Sequence, residues 1–142
     1  MVRPGASRNQ GRWALAASPA GADDRTMEHV VSKLIDVPDE TRWFDHGRFD
    51  VVDLGGITLG RATLEGGWRW STCIGRASGA TSCPERHVGY MLQGRLMAQM
   101  DDGTRAEFVA GDAIAIPPGH DLWVLGEEEV VFLEVLPARH AA

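Results

Sequence analysis

The stretch S82 C P E R H V G Y M L Q G94 reads as a turn that feeds a β-strand. Val88–Leu92 is an apolar run rich in strand-forming residues, and Gly94 stops it. Strand alternation sends His87, Gly89 and Met91 to one side and Val88, Tyr90 and Leu92 to the other. Pro84 keeps the residues around Cys83 from acting as an ordinary central strand. A cysteine sulfur on the turn and a histidine nitrogen at the strand entry can approach one metal ion, at about 2.3 and about 2.0 Å respectively.

The same grammar extends in both directions. Short β-branched and aromatic segments recur about every ten residues, separated by Gly, Pro and Asp turns. Strands are predicted at Val30–Val37, Val51–Leu54, Ile57–Leu64, Trp68–Arg76, Leu96–Met100, Ala106–Val109, Ala113–Ile116, Leu122–Leu125 and Val130–Leu136. The polar segment Asp39–Asp50 reads as an ordered connection. Asp102-Gly103 is a hairpin signal, because the turn needs positive φ values that these residues tolerate. No window of a dozen residues carries a helical apolar stripe. The expectation is an all-β sandwich or barrel, which protects strand edges that a short chain could not otherwise cover.

A length of 142 residues suits one domain, read as residues 27–142. Residues 1–26 lack periodicity and read as a flexible N-terminal tail with one bulky residue, Trp13. The formal charge of −6 and the lack of any Lys/Arg stripe argue against a nucleic-acid partner. No apolar run approaches the roughly 20 residues that a membrane span requires. Trp13–Ala17 is too short for a signal-peptide core, so a cytoplasmic location is expected. Two cysteines, Cys73 and Cys83, do not make a secreted disulfide framework and read as reduced thiols.

A second candidate region is G111 D A I A I P P G H D L W123. Pro118-Gly119 turns the chain before His120, which shares a side with Leu122 while Asp121 and Trp123 take the other. In a closed double sheet His120 can meet His87 across the cavity. Either histidine alone reads as an ordinary surface or hydrogen-bonded residue.

These segments resemble the cupin superfamily, and most closely its small single-domain bacterial members. The likeness is carried by H87 V G Y M L Q G94, D101 D G T R A E F V A G D112 and A113 I A I P P G H120, and by G67 W R W S71, C83 P E R H V G Y90 and I116 P P G H D L W123. It covers roughly residues 50 to 136 and implies a double-stranded β-helix, the cupin jelly-roll barrel, often assembled as a homodimer. The usual metal motif is altered. Counting back from Gly94 puts His87 where the family has its glutamate ligand, and the paired histidines fall near Ala80–Cys83, where only Cys83 could substitute. Gly111, Pro117 and Gly119 match the second motif, but its histidine position is Leu122 and its asparagine position is Gly126; the available imidazole is His120.

The resemblance implies that Cys83, His87 and His120 belong together, as ligands of a divalent transition metal (Zn, Fe, Ni or Cu) or as an imidazole-lined pocket with none. Candidate catalytic residues are His87, His120 and Tyr90. Candidate substrate-pocket residues are Trp68, Trp70, Arg76, Met91 and Trp123, with core packing as the alternative for the tryptophans and a plastic apolar interior as the alternative for Met91. Three functions compete: a metal-dependent enzyme acting on a small carboxylated or aromatic metabolite, a non-catalytic small-molecule-binding or sensory protein, and a structural dimerisation module.

Overall fold

The computed structural model describes residues 29–137; the expected tail, residues 1–26, lies outside the described residues, as does Trp13. Nine strands follow in order: β1 Glu40–Phe44, β2 Gly47–Asp53, β3 Ile57–Leu64, β4 His87–Gln93, β5 Arg95–Met100, β6 Arg105–Val109, β7 Ala113–Ile116, β8 His120–Val124 and β9 Val130–Pro137. They form a six-stranded sheet, β1-β2-β3-β9-β4-β7, and a three-stranded sheet, β6-β5-β8. Every strand pairing is antiparallel.

The chain changes sheet between β4 and β5 at Gly94, whose φ is +82°. A Cβ there would lie 2.6 Å from the Glu129 carbonyl oxygen, so this corner needs glycine on two counts. The hairpin expected at Asp102-Gly103 joins β5 to β6, with Gly103 N–H donating to the Met100 carbonyl at 2.9 Å. β9 returns from the end of the chain to lie between β3 and β4.

The apolar side chains that alternation turns inward make one core. Met91, Leu96 and Val130 are almost fully buried, and Trp68, Ile116 and Phe132 pack in the same cluster. Burial of this kind is the main force holding two sheets together, at about 25 cal/mol per Å² of apolar surface.

Three expectations are corrected. Val30–Val37 is not a strand: Leu34 and Val37 are exposed, and the segment turns through a Val37 N–H to Leu34 carbonyl bond of 3.0 Å. β-branched residues there have no partner strand, and strand propensity without pairing does not make a strand. Residues 39–50 instead form most of the β1–β2 hairpin, which turns at Asp45-His46 with His46 at φ +61°. Its polar residues are cross-strand partners: Thr41 Oγ1 donates to Asp50 at 2.8 Å, and Arg48 and Arg61 reach the same carboxylate. The strand expected at Trp68–Arg76 is a short helix, α1 Trp70–Cys73, followed by a 3₁₀ turn at Gly75–Ser78. Asp121, fifty residues away, captures the Ser71 N–H at 3.0 Å and the Ser71 hydroxyl at 2.8 Å. A long-range cap of this kind leaves no local signal.

No helix among the described residues is long and apolar enough to cross a membrane. Cys73 and Cys83 are free thiols, as expected.

Candidate metal centre and pocket

Cys83, His87 and His120 come together. Their ligand atoms all lie within 4.8 Å of one another. The backbone does much of the positioning. Cys83 N–H donates to the His120 carbonyl at 2.7 Å, and Gly119 N–H donates to the Cys83 carbonyl at 2.8 Å. His87 enters from β4, with its ring centroid 5.0 Å from that of His120.

The partners of each imidazole decide which nitrogen faces the thiol. His120 Nδ1 lies 2.6 Å from the Pro117 carbonyl oxygen, which can only accept, so Nδ1 carries a proton. His120 Nε2 is buried and, among the described residues, has no hydrogen-bond partner. His87 Nδ1 donates to Glu134 Oε1 at 2.5 Å, which turns His87 Nε2 toward Cys83 Sγ at 3.5 Å. A carboxylate behind a histidine is the usual device for orienting a metal ligand.

Burial raises the Cys83 thiol, but His120 and His87 together outweigh it and bring the pKa down to about 7. Burial lowers that of His87, while Cys83 and Glu134 raise it to about 9. At about pH 8, between the two values, the ion-free centre therefore holds mostly a Cys83 thiolate beside a His87 imidazolium.

His87 also lines a cavity of about 480 Å³. Its walls include Phe44, Phe49, Trp70, Ile74 and Phe132, and its charged lining comes from Arg42, Glu85, Arg86, His87 and Glu134. Alternation along β9 turns Phe132, Glu134 and Leu136 inward.

The expected pocket residues separate. Trp68 and Trp70 line the cavity, although Trp70 does so from α1 rather than from a strand. Met91 is in the core and off the cavity wall. Arg76 is exposed and also off the wall. Trp123 faces the other way, between Arg69 at 4.5 Å and Arg105 at 5.4 Å, with His120, Leu122 and Val124 turned inward. Tyr90 is 44% exposed, on the opposite side of β4 from His87 and Met91.

Glu134 is the residue that sequence reasoning passes over. The available signal was a lone carboxylate in V130 V F L E V L136, where an ionisable group in an otherwise apolar strand asks for a partner. Glycines flank it on both neighbouring strands, Gly60 on β3 and Gly89 on β4. Cβ atoms there would lie 2.1 Å from Phe49 Cζ and 2.6 Å from Phe132 Cζ, so the aromatic walls rest on these bare positions.

No protein-family model matches the chain, and no curated protein matches it. Solved structures do. A point mutant of Bacillus subtilis oxalate decarboxylase OxdC is 22% identical, with a TM-score of 0.50 over 73% of this chain and 29% of its own. KdgF from Halomonas sp. is 16% identical, also with a TM-score of 0.50, over 70% of this chain and 87% of its own. The chain thus spans under a third of the oxalate decarboxylase. Together with the two-sheet topology, these likenesses identify the fold as that of the cupin superfamily. The protein therefore has a cupin-type β-barrel fold that brings together a Cys/His/His cluster of the kind that could hold a metal ion.

Proposed function

We propose that the protein is a small metal-dependent cupin enzyme, in which Cys83, His87 and His120 hold a divalent transition ion beside a pocket for a small aromatic molecule. The observation that carries this reading is the buried, unpartnered His120 Nε2 next to a thiol and a second imidazole whose Nε2 faces the same point. Native proteins rarely leave a buried polar atom unpaired without a reason. One thiolate with two imidazoles suits Zn²⁺ and also accommodates Fe²⁺, Ni²⁺ or Cu²⁺.

When bound, such an ion supplies Lewis-acid polarisation of an oxygen. The chain supplies the rest. Phe44, Phe49 and Trp70 offer aromatic walls, and the exposed Arg86 with Arg42 offers positive charge to an anionic group on the same molecule. Glu134 holds the His87 ring in one orientation.

Metal analysis of protein purified without chelator or nickel resin tests the centre. The expected result is one ion per chain, lost in Cys83→Ala and in His120→Ala. Ion-free wild type that takes up none of Zn²⁺, Fe²⁺, Ni²⁺ or Cu²⁺ in equilibrium dialysis overturns it.

A binding function without turnover is favoured by one observation: Cys83 and His120 are not part of the cavity wall. Native mass spectrometry showing a retained and unaltered small molecule would support that reading, and turnover of that molecule would reject it.

A further inference from the structure

Glu134 is 6% exposed, yet it forms part of the cavity wall. Oε1 accepts from His87 Nδ1, and among the described residues no other donor reaches the carboxylate. The neighbouring walls offer none: Phe49, Phe132 and Leu136 are apolar, and Gly60 and Gly89 have no side chains. A carboxylate has two acceptor oxygens with about four lone-pair positions, so Glu134 keeps acceptor capacity toward the cavity, which a bound molecule can take up in place of water.

We propose that Glu134 is a specificity-determining residue of the cavity, accepting a hydrogen bond on its second carboxylate oxygen from a hydroxyl group of the bound molecule, which is a hydroxylated aromatic. The inference rests on the reading of the cavity as a small-molecule pocket. A hydroxyl is the uncharged donor that suits a carboxylate acceptor set in an aromatic wall, where both acidic and basic side chains already line the cavity. Aromatic walls accept the ring. Polar selectivity in an apolar pocket comes from a few placed acceptors and donors, and a site built to bond a hydroxyl discriminates strongly against the analogue that lacks it.

Three probes of one shape test the assignment: 6-hydroxy-2-naphthoate, 6-methoxy-2-naphthoate and 2-naphthoate, titrated calorimetrically into the protein as purified. Wild type binds the hydroxy compound about tenfold or more tighter than the methoxy compound, as a hydrogen bond to a charged acceptor requires. Glu134→Gln keeps an oxygen for His87 Nδ1 and turns an amide donor toward the cavity, so its preference moves to the methoxy compound. Equal wild-type affinities for all three probes overturn the inference and leave the pocket reading standing. A hydroxyl preference that persists in Glu134→Gln assigns the contact to another group and likewise overturns it. Absence of binding by any probe rejects the pocket reading and this inference with it.

Discussion

Cys83 and His120 are joined backbone to backbone. The 2.7 Å bond from Cys83 N–H to the His120 carbonyl, with the Gly119 to Cys83 bond beside it, sets thiol and imidazole in one register before any ion arrives. A metal site needs preorganised ligands of this kind if binding is not to pay for ordering them.

The bend that delivers His120 depends on Gly119. Its φ is +89°, and a Cβ there would lie 2.9 Å from Asp101 Oδ2. Gly119→Ala is expected to destabilise the fold by about 1–3 kcal/mol through backbone strain and to weaken Zn²⁺ binding about tenfold by displacing His120. Thermal unfolding and competitive chelator titration measure the two effects. Unchanged metal affinity would show that the bend does not position the ligand.

Metal uptake should release protons in a number that depends on pH. With Cys83 at about 7 and His87 at about 9, the ion-free centre at about pH 8 holds a thiolate and an imidazolium, and Zn²⁺ displaces about one proton, from His87. Below about pH 6 the thiol proton leaves as well, giving about two. Apparent affinity therefore climbs as the pH rises toward that of His87 and levels off above it. Calorimetry in two buffers of different ionisation enthalpy counts the protons; a count of zero at about pH 8 contradicts the charge assignment.

Asp50 should contribute to the acid limb of the stability profile. Burial raises its carboxyl pKa, but the Thr41 hydroxyl, Arg61 and Arg48 outweigh that and hold it below the ordinary value. A carboxyl depressed in the folded state stabilises the protein above its unfolded pKa of about 3.9, and that contribution disappears as the pH falls through the lower folded value. Asp50→Asn should cost about 1–3 kcal/mol at neutral pH, with the gap to wild type closing in acid. Urea unfolding at neutral pH and in acid checks both halves.

Asp121 latches α1 onto β8 by accepting from Ser71 N, Ser71 Oγ and Arg69 Nε, the last at 2.8 Å. Asp121→Ala should lower stability by about 1–2 kcal/mol through loss of the cap. Because α1 carries Trp70 and Cys73 to the cavity wall, the 6-hydroxy-2-naphthoate affinity should fall while Zn²⁺ affinity holds. Parallel calorimetric titrations of the two probes separate these effects, and equal losses in both would place α1 in the metal centre.

Legibility followed the range of the interactions involved. Gly94, Asp102-Gly103 and Pro118-Gly119 act within a few residues of themselves, so the turns they make could be read directly. Alternation placed His87 and Met91 on one side of β4 and His120 with Leu122 on one side of β8. It misled at Trp68–Arg76, because the feature that turns this segment into a helix is the Asp121 carboxylate in another strand. It misled again at residues 39–50, where the charged residues are cross-strand partners and only pairing reveals them as such.

The all-β class and the side toward which each His points on its strand follow from residue spacing, since backbone stereochemistry allows a strand only a period of two. Convergence does not. Glu134 stands 47 positions from His87, and the thiol is 37 from His120, so whether they meet depends on sheet closure and on which strands become neighbours. Contacts between distant segments are settled by how the whole chain packs its apolar surface, and local patterns carry no record of that arrangement.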